Sequence, residues 1–166
     1  MTCKLVLLAC GASGLTLAPL PALRAYAAQF AWCEGAVLMH GAGTRRQDDP
    51  PGALGADALW EVACHLEWPG FTPSRVDRLP AEWKRLAPRA GPARNEVMAT
   101  ALHGYARQGW TVRWVAAHTG QDLGKGTGHM VRLCRAAGWK GACSSSTRSV
   151  GPRSPRRRHR CEPPFA

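Results

Sequence analysis

The chain has 166 residues, 45% of them hydrophobic and 20% charged. That length and balance suit one globular domain and exclude two ordinary domains, a fibrous chain or a wholly disordered one. Net charge is +11 with a pI near 10.1, which by itself points to an anionic partner, but residues 144–166 hold six Arg against Glu162, so the body is only moderately basic.

Seven Cys stand at positions 3, 10, 33, 64, 134, 143 and 161, with no CxxC pair and no zinc-ligand spacing. An odd, scattered set reads as reduced thiols of a cytoplasmic protein, and Cys10 and Cys134 fall in apolar runs where a thiol serves as a small core group. No metal site or cofactor is expected. Near the N-terminus, residues 5–23 carry no charge, and Ala25, Tyr26 and Ala27 resemble an export cleavage site. Gly11, Ser13, Gly14, Pro19 and Pro21 interrupt the run, leaving only residues 5–9 continuously apolar. That is too short for a signal core or a membrane span. The run reads instead as a buried strand over 4–10, a glycine turn over 11–14 and a helix over 19–32.

A second strand is predicted over 36–39, closed by His40, Gly41, Ala42 and Gly43. Residues 44–54 lack periodicity and read as an inserted loop, and Leu59, Val62, Ala63 and Leu66 give a helix over 56–67. A weaker strand is expected over 75–79, then one helical turn over 81–84 and a loop over 86–91. A helix starts near Pro92, where proline's missing N–H is tolerated. Its apolar stripe is Val97, Met98, Ala101, Leu102 and Tyr105. A fourth strand over 110–117 leads through a glycine loop, 118–126, to a last helix with Thr127 as N-cap and Met130, Leu133, Cys134 and Ala137 on one face. Residues 139–143 are the only remaining strand candidate. From 144 the chain is Ser, Pro and Arg and reads as a disordered tail. The alternation predicts a three-layer, Rossmann-like α/β fold with a mostly parallel sheet of about five strands over 1–143.

Ligands of such sheets sit beyond the carboxyl ends of the strands, and every glycine cluster falls at such an end. Gly11 and Ser13 follow the first strand, His40, Gly41 and Gly43 the second, and Gly124, Lys125, Gly126 and Thr127 the fourth. Glycine lets backbone N–H groups approach an anion, and a helix N-terminus adds partial positive charge. The expected ligand is therefore a phosphate, and so a nucleotide. The loop is neither a P-loop nor a GxGxxG fingerprint, and a plain turn would also explain it. His40 reads equally as a hydrogen-bonded structural histidine, and Asp57 as a cap of its own helix. Arg94, with Asn95 beside it, opposes the helix dipole in a first turn, a conflict that a nearby anion would remove.

The motifs occur in a recognisable order: HGAG with GAD (40–43 and 55–57), LPAEWKR (79–85), AGPARNEVM (90–98) and GKGTGHMVRLCRAAG (124–138). Together they resemble the YspA/YpsA-related SLOG family, Rossmann-like proteins of bacteria and their phages distantly related to the DprA and LOG families. The resemblance implies a domain that senses or processes a nucleotide derivative. In the first reading, a module that senses a nucleotide or nucleotide-sugar, phosphate lies on residues 124–127, Lys125 and Arg94 add charge, and Asp57 or Asn95 bonds ribose or base; Gly55 of the GAD motif is a further ligand-binding candidate. Related folds often dimerise through helices, which makes a homodimer an expectation too. The chain departs from the family's pattern in lacking Arg in the first turn, in its insertion, and in the Trp-containing segment 67–74.

LOG phosphoribohydrolases resemble the last glycine loop but carry a catalytic Glu where this chain has Met130, and a thioether transfers no proton. A nucleotide-processing hydrolase with Glu96 or Asp57 as general base is the second reading. A third is non-specific nucleic-acid binding through the basic tail. No membrane association is expected.

Overall fold

The computed structural model describes residues 3–43, 46–120 and 123–145. In chain order its elements are β1 (Leu5–Gly11), α1 (Leu20–Ala28), β2 (Val37–His40), α2 (Gly55–Glu67), β3 (Val76–Arg78), α3 (Trp83–Leu86), α4 (Ala90–Arg107), β4 (Thr111–His118), α5 (Lys125–Ala136) and β5 (Lys140–Ser145). The strands lie in the order β3-β2-β1-β4-β5, and every pairing is parallel. This is the expected Rossmann-like α/β architecture.

The first apolar run becomes the central strand because its residues are buried on both faces, as parallel sheets require. Leu5, Leu7 and Ala9 join the core under α1 and α2, whereas Val6, Leu8 and Cys10 join the core under α4 and α5. The chain steps outward from β1 through β2 to β3, then returns to the other side of β1 as β4. The strand order therefore reverses between β1 and β4, which is where ligands of such sheets bind.

Several local boundaries differ from the sequence expectation. α1 ends at Ala28, and residues 29–32 continue as turns, with Cys33 N–H donating to the Phe30 carbonyl. α4 begins at Ala90, so Pro92 sits third in the helix, still among the amides without internal partners. α5 begins at Lys125, not after Thr127. Its N-cap is Gly124, whose φ of +70° glycine adopts freely, and Thr127 is the third helical residue. β5 includes Ser144 and ends at Ser145, so the boundary placed at 144 is moved; the rest of the tail lies outside the described residues.

The reduced-thiol reading is corrected for one pair. Cys3, ahead of β1, is disulfide-bonded to Cys33, ahead of β2. No local spacing announces the pair, because the parallel return of the chain through α1 is what brings the two together. The cytoplasmic setting inferred from the cysteines loses that argument. Cys10, Cys64, Cys134 and Cys143 are buried thiols. Burial pushes Cys134 up to about 12 and raises Cys10 and Cys64 too, so these three behave as core groups rather than nucleophiles. Among the described residues, no helix is long and apolar enough to cross a membrane.

The irregular segment 67–74 also has a packing role. Trp68 is buried, its indole N–H donates to the Ala27 carbonyl at 2.8 Å, and Phe71 meets it edge-on. Arg75 lies 5.7 Å from both rings and donates to the Ala36 carbonyl, which fixes the approach to β3.

Candidate functional site

At the carboxyl edge of the sheet the turn after β2 is held by a set of hydrogen bonds. His40 is 2% exposed, and its Nδ1 accepts the Ala42 N–H at 3.0 Å, so the ring proton is on Nε2, which donates to Glu61 Oε1 at 2.8 Å. Glu61 in turn accepts two bonds from the Arg78 guanidinium at the end of β3. Those bonds hold the Glu61 carboxyl below its ordinary range despite partial burial. Asp57 Oδ2 accepts the Gly43 N–H at 2.7 Å and lies 3.8 Å from His40 Nδ1. Burial pushes Asp57 above its ordinary range, against the lowering effect of the Gly43 amide.

A second chain of bonds crosses from this turn to α5. Arg94 donates through Nη1 to the Gly41 carbonyl at 3.0 Å and through Nε and Nη2 to Asn95 Oδ1. Asn95, 1% exposed, donates through Nδ2 to the Gly126 carbonyl at 2.9 Å and approaches His129 Nδ1 at 3.4 Å. His129 Nε2 lies 3.3 Å from Glu96 Oε1. The turn after β2, the start of α4 and the start of α5 are thus fastened together.

At α5 itself, the Gly128 N–H bonds the Gly124 carbonyl, so the amides of Lys125, Gly126 and Thr127 precede the internal helical bonds. The first turn holds no acidic residue, and a Cβ at Gly124 or Gly126 would meet nothing within 4 Å among the described residues beyond its own neighbours in the chain.

Other predicted site residues have contacts within the fold. A Cβ on Gly11 would fall 2.1 Å from the Ala117 carbonyl oxygen, so this glycine lets β1 close on β4 and α2. Ser13 donates to Asp49 Oδ1 at 3.0 Å, and the Leu54 and Gly55 amides bond the Leu15 carbonyl, so the inserted loop covers the first glycine turn. Gly55, with φ +79°, makes that turn. Gly41 is glycine because the Arg94 guanidinium occupies the place of a Cβ, 2.2 Å away. Asp57 does not cap its own helix; it holds Gly43. Arg94 stands in the second turn of α4 rather than the first, and its dipole conflict is met by Gly41 and Asn95. Met130, 1% exposed, is core under α4 and α5 and faces no open edge.

Glu61, Arg78, His129 and Asp49 were not singled out from sequence. Glu61 had a signal: it follows Asp57 by four residues, which places both carboxylates on one helix face. No protein-family model matches this chain, and comparisons with the curated proteins and with solved structures find no match.

The two carboxyls give opposite pH signs. Asp57 binds its proton more tightly in the folded chain, so its contribution is present below about pH 3.9 and is lost as pH rises through its folded value. Glu61 stabilises above about pH 4.3, and that contribution is lost as pH falls through its depressed folded value. Asp57→Asn, which retains an acceptor for Gly43, is therefore expected to raise the melting temperature at neutral pH, and Glu61→Gln to lower it. Melting curves of both variants between acid and neutral pH check this; two shifts of the same sign would refute it.

Proposed function

We propose that the protein binds a nucleotide or nucleotide-derived ligand as a sensing module, with phosphate at the start of α5 and ribose or base toward Asp57 and the turn after β2. The observation that carries this reading is the fastening of the α5 start to that turn through Arg94 and Asn95, beside the reversal of strand order. An acid-free helix N-terminus preceded by glycine, with Lys125 in its first turn, suits a phosphate. Arg94 spends three of its five N–H groups on protein acceptors, leaving a second hydrogen on each terminal nitrogen for an anion. The SLOG resemblance implies the same ligand class and belongs to the proposal.

Titration calorimetry with a panel of nucleoside mono- and diphosphates and ADP-ribose tests it. Gly126→Val is expected to abolish binding of whichever nucleotide the parent binds. Arg94→Ala is expected to weaken binding by about 1.5 to 3 kcal/mol, the range for hydrogen bonds to charged groups. It should also cost about 1 kcal/mol of stability, since Gly41 and Asn95 lose their donor. Unchanged affinity in both variants would place the site elsewhere.

A hydrolase is the second reading, supported by Asp57, a carboxyl raised by burial and close to an imidazole, as general acid–base groups are. Product analysis of the same nucleotides incubated with the parent and with Asp57→Asn separates it from simple binding.

A further inference from the structure

Charge is segregated along this chain. Ahead of Val97 ten Lys and Arg face nine Asp and Glu, whereas from Val97 to Cys161 twelve face only Asp122. Within the second stretch a groove of about 250 Å³ opens beside edge strand β5, lined by Trp114, Arg135, Trp139, Lys140, Gly141 and Cys143 among others, with no carboxylate among its described lining residues. Its floor is built by tight packing. The Trp114 indole lies across β5 where a Cβ on Gly141 would come within 2.2 Å of it, and its N–H donates to the Trp139 carbonyl at 2.9 Å. The Arg135 guanidinium stands 5.8 Å from the Trp114 ring centre, and half-buried Trp139 leans on His103 at 4.7 Å. Arg135 and Lys140 are exposed, and neither forms an ion pair among the described residues.

We propose that this groove binds single-stranded nucleic acid, with a base stacked on Trp139 and backbone phosphates on Arg135 and Lys140. An aromatic face flanked by cations is the chemistry of sequence-tolerant single-strand binding, because every base offers a stacking surface. A duplex keeps its base faces stacked inside, and a lipid surface offers the groove no base to stack. The sequence beyond β5 carries Arg148, Arg153, Arg156, Arg157, Arg158 and Arg160, so the basic bias of this half continues in the sequence. Arg135 is in the last turn of α5, at the opposite end of that helix from the proposed nucleotide site. The two proposals therefore stand or fall separately.

The test is fluorescence anisotropy of a labelled oligothymidylate titrated with the full-length protein at about 50 and 200 mM salt. The parent is expected to bind and to lose affinity steeply with salt. Arg135→Gln with Lys140→Gln should weaken binding at least about tenfold and reduce the logarithmic salt slope by about 1.4, from two lost phosphate contacts, while the melting temperature stays put. Trp139→Ala should weaken it about five- to 150-fold. A full-length variant with all six tail arginines changed to Gln should retain binding that Trp139→Ala still weakens. The proposal is overturned if the parent fails to bind at low salt or if the Arg135 and Lys140 variant binds like the parent. It is equally overturned if duplex DNA or vesicles containing phosphatidylserine bind as well and respond to the same substitutions.

Discussion

Met130→Glu is expected to cost about 4 kcal/mol or more and to leave a protein that is unfolded or barely folded at 37 °C, not one that hydrolyses nucleotides. Met130 belongs to the apolar cluster that includes Val6, Leu8, Met98, Leu102 and Cys134. A carboxylate placed there loses its water without gaining a partner, and the effective penalty for an unpaired buried ion is several kcal/mol. Protonation relieves the charge but leaves a buried acid in an apolar core. Met130→Leu, which conserves volume and polarity, is expected to cost less than about 1.5 kcal/mol. Urea unfolding of the two variants decides the matter. A Met130→Glu protein with the parent's midpoint would show that this position lines an open site, and the hydrolase reading would gain what it now lacks.

Removing the bond between Cys3 and Cys33 is expected to cost about 3 to 4 kcal/mol, from the loop-closure entropy of a cross-link spanning 30 residues. For a domain of this size that is a fall in melting temperature of roughly 6 to 16 °C. The closed loop contains β1 and α1, so the constraint acts on the central strand of the sheet. Cys3→Ala with Cys33→Ala should unfold at lower urea than the oxidised parent. A reductant should bring the parent to the variant's midpoint and leave the variant unmoved. Coincident curves for parent with and without reductant would mean that the bridge carries no stability.

The fold was legible in the sequence wherever the signal is local. The run beginning at Leu5, buried on both faces, reads as a buried strand from its composition, and Leu59 and Ala63 on α2 or Met98 and Leu102 on α4 read as helix faces from their spacing. Glycine clusters at strand ends likewise follow from the alternation of strands and helices. The alternation and the chain's length thus determined the layers and placed the glycine loops at the carboxyl edge of the sheet. They did not determine how that edge is wired. Only the strand order β3-β2-β1-β4-β5 brings Arg94 to the Gly41 carbonyl, Arg78 and Glu61 to His40, Asn95 to Gly126, and Cys3 to Cys33. It also made Gly11 and Gly41 packing glycines, since the Ala117 oxygen and the Arg94 guanidinium stand where their Cβ atoms would be. Hydrophobic periodicity fixes which face of an element is buried but carries no term for which distant partner covers it, so a polar side chain's destination is decided only when the sheet has closed.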